Sequence, residues 1–242
     1  MSAPNARLVV ALDVDTLPVA LGLVEKLRPL DVIYKVGYEA LFGYGEELRR
    51  KLEETGAASF VDAKLHDIPR TVAAAVRALV RPGVEIISVH ALGGNEMMVA
   101  AVEASAGRAA ELGIDPPKIF AVTILTSIAP EELLELGLHG GAGENVMRLA
   151  ALARDARCDG VVLSPHEVTD LKRFFGDDFL ALCPGIRPTG STHGDQKRVA
   201  TPRSAVEAGA DYLVVGRPIV EAEDPLEAAQ AILDEIRNAS LR

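Results

Sequence analysis

The sequence predicts a single domain folded as a (β/α)8 TIM barrel, and three observations lead to this fold class. Eight apolar runs recur along the 242 residues, and an amphipathic stretch follows each run. The runs are nearly continuous rather than alternating, which is typical of parallel strands covered on both faces. No linker or shift of composition divides residues 1–242. We therefore expect one barrel, and a doubly wound open sheet is the alternative.

In the first half of the chain, four apolar runs predict strands that alternate with four helices. The predicted strands are residues 8–14, 32–37, 58–64 and 85–91, and the predicted helices are residues 17–27, 46–55, 71–80 and 96–112. Pro69 stands near the start of the third helix, while Gly56 and Gly113 stand just past the ends of the second and fourth. Proline is tolerated in a first helical turn and glycine suits a helix end, so these residues support the boundaries.

The second half repeats the alternation. The predicted strands are residues 119–126, 160–164, 179–185 and 212–216, and the predicted helices are residues 130–136 with 145–156, 165–175, 203–208 and 225–237. Pro130, Pro202 and Pro225 stand near helix starts, and Gly209 stands near a helix end. The glycine-rich stretch 139–143 follows no strand and precedes no Lys-Ser/Thr pair, so we interpret it as a flexible connector, not a nucleotide loop.

Charge and cysteine content exclude several classes of protein. The net charge of −10 argues against a general nucleic-acid or membrane binder, because such proteins need a cationic surface. The first apolar run is short and broken by Asp13 and Asp15, so it does not predict a signal peptide. Cys158 and Cys183 have no metal-ligand spacing, and we expect both to be reduced structural residues. A cytoplasmic location is therefore expected.

Polar residues collect where the predicted strands end. They are Asp13, Lys35, Asp62, Lys64, Thr126, Arg187 and Arg217, and Gly216 precedes the last of them. The active site of such a barrel lies at the carboxyl ends of its strands. A single charge there is commonly only a satisfied ion pair, but many polar residues at the same end favour a functional site.

The segment of residues 62–71 concentrates charge most strongly. Asp62 and Lys64 are two residues apart on a predicted strand and should point to the same side, and Asp67 follows the strand end. Desolvation can cancel the attraction within a buried ion pair, so stability alone is a poor reason for these charges. A catalytic site is the better interpretation.

The ends of the last two predicted strands suggest a phosphate site. Gly216 permits close approach of the backbone, and Arg217 and Arg187 offer guanidinium donors near the position where barrels often bind phosphate. The loop of residues 187–200, which carries Gln196, could close over a ligand. The plainer alternatives are a tight turn and a solvated loop. The five histidines have no metal-site spacing, so we expect no metal ligand among them.

In these motifs and others, the chain resembles a known family, the orotidine 5′-monophosphate decarboxylases, which form UMP in pyrimidine synthesis. The motifs that carry the resemblance are Ala-Leu-Asp at 11–13, Tyr-Lys-Val-Gly at 34–37, Asp-Ala-Lys-Leu-His-Asp-Ile-Pro-Arg-Thr at 62–71, Val-Thr-Ile-Leu-Thr at 122–126, Pro-Gly-Ile-Arg at 184–187, Asp-Gln-Lys-Arg at 195–198 with Thr201 and Pro202, and Gly-Ala-Asp-Tyr-Leu-Val-Val-Gly-Arg-Pro at 209–218. Leu65, Arg70 and Leu163 depart from the family pattern without removing a functional side chain.

The resemblance implies a catalytic network and a homodimer. Lys35, Asp62, Lys64 and Asp67 would form the family's alternating Lys-Asp-Lys-Asp network, with Lys64 as the proton donor and no cofactor. Asp67, Ile68 and Thr71 would reach into the neighbouring subunit's site.

The resemblance also implies the substrate contacts. Asp13 would bind the ribose and Thr126 the pyrimidine, and Gln196 would join the closing loop to phosphate and base. Arg187, Gly216 and Arg217 would lie on the phosphate side.

Three alternatives stay open. Related enzymes that act on sugar phosphates, such as 3-keto-gulonate 6-phosphate decarboxylase and hexulose phosphate synthase, look similar but use Mg²⁺ and carry a glutamate near the end of strand two. Lys35 stands in that region here and would repel a metal. The other two are a non-catalytic barrel that binds a phosphorylated ligand and a structural dimer whose charged segment is only an interface.

Overall fold

The protein is a closed barrel of eight parallel strands, as the sequence predicts. The computed structural model describes residues 6–188 and 200–240. The strands pair in chain order from β1 to β8, and β8 closes the barrel by pairing with β1. They are β1 Arg7–Ala11, β2 Ile33–Val36, β3 Ser59–Leu65, β4 Val84–His90, β5 Lys118–Val122, β6 Gly160–Val162, β7 Leu180–Cys183 and β8 Tyr212–Val215. The open-sheet alternative is therefore excluded.

Helices surround the barrel. They are α1 Leu17–Leu27, α2 Tyr38–Gly43, α3 Gly45–Thr55, α4 Pro69–Leu79, α5 Gly94–Leu112, α6 Pro130–Glu135, α7 Ala142–Asp155, α8 Val168–Phe175, α9 Pro202–Glu207, α10 Arg217–Val220 and α11 Pro225–Ser240. Short 3₁₀ turns at Ala91–Gly93 and Pro165–Glu167 precede α5 and α8. None of the helices described here is long and apolar enough to cross a membrane.

The boundaries differ from the prediction at several points. The first and fifth strands end at Ala11 and Val122, earlier than predicted. The chain leaves the barrel at these residues, and the polar residues that follow lie at its rim. The short helices α2 and α10, of six and four residues, were not predicted. Interpreting all of residues 139–143 as a connector was wrong, because α7 already begins at Ala142.

Apolar side chains form two cores. Within the barrel, buried residues from seven of the strands meet, and the rings of Phe120 and Tyr212 pack edge to face with centroids 5.5 Å apart. A larger cluster fills the layer between strands and helices. Both faces of each strand are thus covered, which accounts for the nearly continuous apolar runs in the sequence.

We predict that Gly160→Ala destabilises the barrel. A Cβ at this first residue of β6 would collide with the backbone oxygen of Leu180 and lie 2.7 Å from Cε1 of Phe120. Because neither neighbour can move freely, the free energy of unfolding should fall by about 1–3 kcal/mol. Urea denaturation measures this change.

The matched control is Gly107→Ala in the middle of α5. No atom lies within 4 Å of a Cβ built there. Alanine is favoured over glycine in a helix by about 1 kcal/mol, so this variant should be at least as stable as the native protein. Equal unfolding midpoints for the native protein and Gly160→Ala would contradict the tight packing between β6 and β7.

Candidate active site

The carboxyl ends of the strands enclose a cavity of about 520 Å³. Its polar lining comes from the rim of the barrel: Asp13, Lys35, Asp62, Lys64, Thr126, Ser127, Arg187, Arg217 and Glu221. Its apolar lining includes Phe60, Val122, Leu182 and Val214. A concave cavity in which apolar walls surround converging polar groups is the usual form of a small-molecule site.

Four charged side chains form a row of alternating sign in this cavity. The ammonium of Lys35 lies 2.9 and 3.1 Å from the two carboxylate oxygens of Asp13 and 3.7 Å from Oδ2 of Asp62. The ammonium of Lys64 donates to the same Oδ2 at 2.7 Å. Asp62 therefore lies between two cations.

The middle of this row is shielded from water. Lys35 and Asp62 are each only 8% exposed, whereas Lys64 and Asp13 are more open to the cavity. A buried charge is costly unless it is paired, so removal of one partner would leave an uncompensated charge. The ion pairs compensate the buried charges and hold Lys64 at the edge of the cavity.

Strand β3 is irregular at the point where it carries these charges. Its pairing with β4 moves from Val61↔Ile87 to Leu65↔Val89, so residues 62–64 face the single residue Ser88. Lys64 has a left-handed backbone with φ of 43°. A non-glycine residue adopts that conformation at a cost of about 1–2 kcal/mol, and such strain is concentrated at functional sites. Asp62 and Lys64 do converge as expected, but on a bulge rather than by simple alternation.

The sequence reasoning missed two side chains that contact this bulge. Ser88 of β4 hydrogen bonds both to Asp62 and to the backbone N–H of Lys64. The hydroxyl of Tyr38 donates to the carbonyl of Ala63, and its ring centroid lies 5.2 Å from the ammonium of Lys64. Tyr38 follows a strand end and could have been noticed there. Ser88 lies within an apolar strand and gives no comparable signal in the sequence.

Gly37 leaves room for the row of charges. An added Cβ would lie 2.6 Å from the ammonium of Lys35 and 2.8 Å from Oδ1 of Asp13. The φ of Gly37 is −90°, so its backbone alone does not require glycine. The absence of a side chain is required here by the neighbouring ion pair.

The predicted phosphate residues line the far side of the same cavity. Arg187 follows β7 and is buried, with one guanidinium N–H donating to the carbonyl of Ile186 at 2.8 Å. Gly216 and Arg217 follow β8, and Arg217 begins α10. Thr126 is buried at the cavity wall after β5. Gln196 lies outside the described residues.

Three predicted site residues do not line this cavity. Asp67, Ile68 and Thr71 lie beyond β3 and are exposed, and the carboxylate of Asp67 accepts a hydrogen bond from the backbone N–H of Ile68 at 2.6 Å. Ile68 is an apolar side chain with 64% of its surface exposed. The chain thus brings together Lys35, Asp62 and Lys64 but leaves Asp67 outside the cavity.

The described histidines and the two cysteines do not form a metal centre. Residues 6–188 and 200–240 contain no cluster of three potential metal-binding His, Cys, Asp or Glu side chains. His90 stacks on His66, and burial, helped by the neighbouring His66 and Lys64, lowers the pKa of His90 to about 4. The ring of His90 is therefore neutral at neutral pH. Burial raises the pKa of Cys158 to about 12, which leaves an unreactive thiol.

Comparison with known proteins shows to what this chain is related. The model of the orotidine 5′-phosphate decarboxylase / HUMPS family matches residues 6–232. An orotidine 5′-phosphate decarboxylase of Saccharophagus degradans is 46% identical over 241 residues, which cover 100% of this chain and 99% of the relative. An orotidine 5′-phosphate decarboxylase of Moorella thermoacetica is 47% identical over 231 residues, which cover 95% of this chain and 92% of the relative.

The fold agrees with solved structures as well. The crystal structure of orotidine 5′-phosphate decarboxylase from Lactobacillus acidophilus superposes with a TM-score of 0.85 at 39% identity, covering 96% of this chain and 99% of that one. Sequence and fold agree over nearly the whole length. The chain belongs to the orotidine 5′-phosphate decarboxylase / HUMPS family.

Proposed function

We propose that this protein converts orotidine 5′-monophosphate to uridine 5′-monophosphate and CO2, the last step of UMP biosynthesis, without a cofactor. The observation that carries the proposal is the ammonium of Lys64, which lies at a cavity edge beside Asp62 and within a row of alternating charges. The relatives named above bear the name of this activity across nearly the full length of the chain.

The chemistry requires a fixed positive charge. When the bond between C6 of the pyrimidine and its carboxylate breaks, the electron pair remains on C6 as a vinylic carbanion that no adjacent carbonyl delocalises. A preorganised ammonium stabilises this charge as it develops. Lys64 then donates its proton to C6, which gives UMP, and regains a proton from water.

Asp62 contributes because its carboxylate repels the carboxylate of the substrate. Two unit charges 4 Å apart repel by about 4 kcal/mol at an effective dielectric constant of 20. The repulsion disappears as neutral CO2 leaves, so it acts on the bound substrate more than on the transition state. Stabilisation of the carbanion by Lys64 is the larger effect.

The remaining residues bind and orient the nucleotide. Lys35 holds Asp62 and Asp13 in place, and Asp13 binds the ribose. Thr126 and Gln196 contact the base, and Gln196 joins the closing loop to the phosphate. Binding energy from a phosphate that lies far from C6 can position the base for reaction.

The phosphate subsite is formed by Arg187, Gly216 and Arg217. Support comes from the position of all three on the same wall of the cavity, after β7 and β8. Guanidinium groups bind phosphate with two parallel hydrogen bonds, and Gly216 leaves space for the ligand.

The alternative activity within the family, metal-dependent chemistry on sugar phosphates, is less well supported. Asp62 is already hydrogen bonded by Lys64 and Ser88, and Lys35 lies 3.7 Å from it. A divalent cation placed beside Asp62 would be repelled by both ammonium groups. We therefore propose that the site uses no metal.

We further propose a homodimer in which each subunit completes the other's site. Support comes from the exposure of Asp67, Ile68 and Thr71, which a single chain leaves outside its own cavity. The apolar side chain of Ile68 would be covered by the partner. We also infer a cytoplasmic location, and the two buried thiols, Cys158 and Cys183, suit a reducing compartment.

One prediction concerns the ammonium of Lys64. Lys64→Ala should lower kcat by at least about 10⁴-fold, because it removes both the stabilising charge and the proton donor. Asp62 keeps hydrogen bonding from Ser88 and the nearby Lys35, so the variant should still fold. The assay is UMP formation, with circular dichroism to check folding.

The control is Lys51→Ala, which removes an exposed lysine paired with Glu54 on α3. This variant should retain native kcat. Near-native UMP formation by Lys64→Ala would refute the mechanism.

A further prediction concerns mixed dimers. Asp67→Ala and Lys64→Ala should each be nearly inactive alone. In a mixed dimer, one site would receive Lys64 from the first variant and Asp67 from the second, so it would be intact. Random mixing gives half mixed dimers with one native site each, so activity should recover to about a quarter of the native value.

The two variants are unfolded together, refolded and assayed, and separately refolded variants serve as controls. If Asp67 served its own subunit, no mixed dimer would contain an intact site. Failure to recover activity in demonstrably mixed dimers would therefore contradict the shared site.

A further inference from the structure

We propose that Ser88 is a positioning residue for the reaction, and that it holds Asp62 and Lys64 in their reactive arrangement. This inference rests on the proposed function. Ser88 does not line the cavity and has no direct access to a bound substrate. It acts through the two charged residues that do line the cavity.

The position of Ser88 is set by the bulge in β3. Between the paired residues Val61↔Ile87 and Leu65↔Val89, three residues of β3 lie opposite Ser88 alone. The ordinary backbone ladder is interrupted there, and a bulge of this kind aims side chains in new directions. A side chain from β4 can therefore reach backbone and side-chain atoms of β3 at the same time.

The hydroxyl of Ser88 uses its donor and an acceptor site together. Oγ accepts a hydrogen bond from the backbone N–H of Lys64 at 2.9 Å and donates to Oδ1 of Asp62 at 2.9 Å. An ionised carboxylate only accepts and a backbone N–H only donates, so the direction of both bonds is fixed. Ser88 is fully buried, which protects both bonds from competition by water.

These two bonds fix different parts of the site. The bond to Oδ1 sets the rotation of the Asp62 carboxylate, so that Oδ2 faces the ammonium groups of Lys64 and Lys35. The bond to the Lys64 N–H supports the left-handed backbone from which the lysine side chain starts. Loss of the hydroxyl would free the carboxylate to turn and allow the bulge to relax.

Small displacements of these groups should have large effects on turnover. A misplacement of about 1 Å can reduce a rate by about 100-fold, because catalysis depends on fixed geometry. The phosphate residues follow β7 and β8, which are not neighbours of β4 in the barrel, so substrate binding should change less. The expected effect therefore falls on kcat rather than on KM.

The test compares Ser88→Ala with Ser105→Ala. Ser105 of α5 is equally inaccessible to solvent, and its hydroxyl donates to the carbonyl of Pro117 at 2.9 Å, away from the cavity. Each variant loses a buried hydroxyl, and each should lower Tm by about 2–4 °C. Only Ser88→Ala should lower kcat for orotidine 5′-monophosphate, by about 10- to 100-fold, with KM changed by less than about threefold.

A second variant, Ser88→Cys, separates hydrogen bonding from packing. The thiol nearly preserves the side-chain volume but is a weak donor and a weak acceptor. It should therefore fold and should also lower kcat by at least about tenfold. If Ser88→Ala is too unstable to assay, the result for Ser88→Cys decides.

The inference is overturned if the assayed Ser88 variant keeps kcat within about twofold of native, or if Ser105→Ala loses kcat to the same extent. Failure of the proposed function would be seen differently, as absence of turnover by the native protein. The two failures are therefore distinguishable.

Discussion

The ion pairs and hydrogen bonds of the Asp62 carboxylate are the interactions on which the rest of the site depends. One of its oxygens lies 2.7 Å from the ammonium of Lys64 and 3.7 Å from that of Lys35, while the other accepts from Ser88. A buried carboxylate is stable as an anion only when cations and hydrogen-bond donors surround it. The same pairing holds two ammonium groups at the cavity, and shielding from water strengthens the field of the buried Lys35.

The barrel makes this arrangement possible. Parallel strands end at one rim, so β1, β2 and β3 deliver Asp13, Lys35 and Asp62 as neighbours. Rigid strands on a packed core fix the charges before a ligand arrives, and preorganised charge is the main source of catalysis by electrostatics. The bulge in β3 adds the local adjustment that brings Lys64 to the cavity.

Much of this could be predicted from the sequence, and the limits have physical causes. The apolar runs predicted all eight strands, and the polar residues that follow them predicted the rim at which Asp62, Lys64 and Arg217 meet. Ser88 could not be predicted, because its role depends on a register shift between β3 and β4 that no local pattern reveals. The pairing of Lys35 with Asp13 also requires the three-dimensional contact between β1 and β2. The catalytic and binding roles of these residues, like those of Asp67 and Gln196, stay predictions.

The most direct measurement is turnover of orotidine 5′-monophosphate by the purified native protein in the presence of a strong chelator. The loss of substrate absorbance is followed together with release of CO2, and 3-keto-gulonate 6-phosphate serves as the competing substrate. The account predicts stoichiometric formation of UMP and CO2 without a metal and no reaction of the sugar phosphate. Inactivity towards orotidine 5′-monophosphate, or activity that appears only with Mg²⁺, would contradict it.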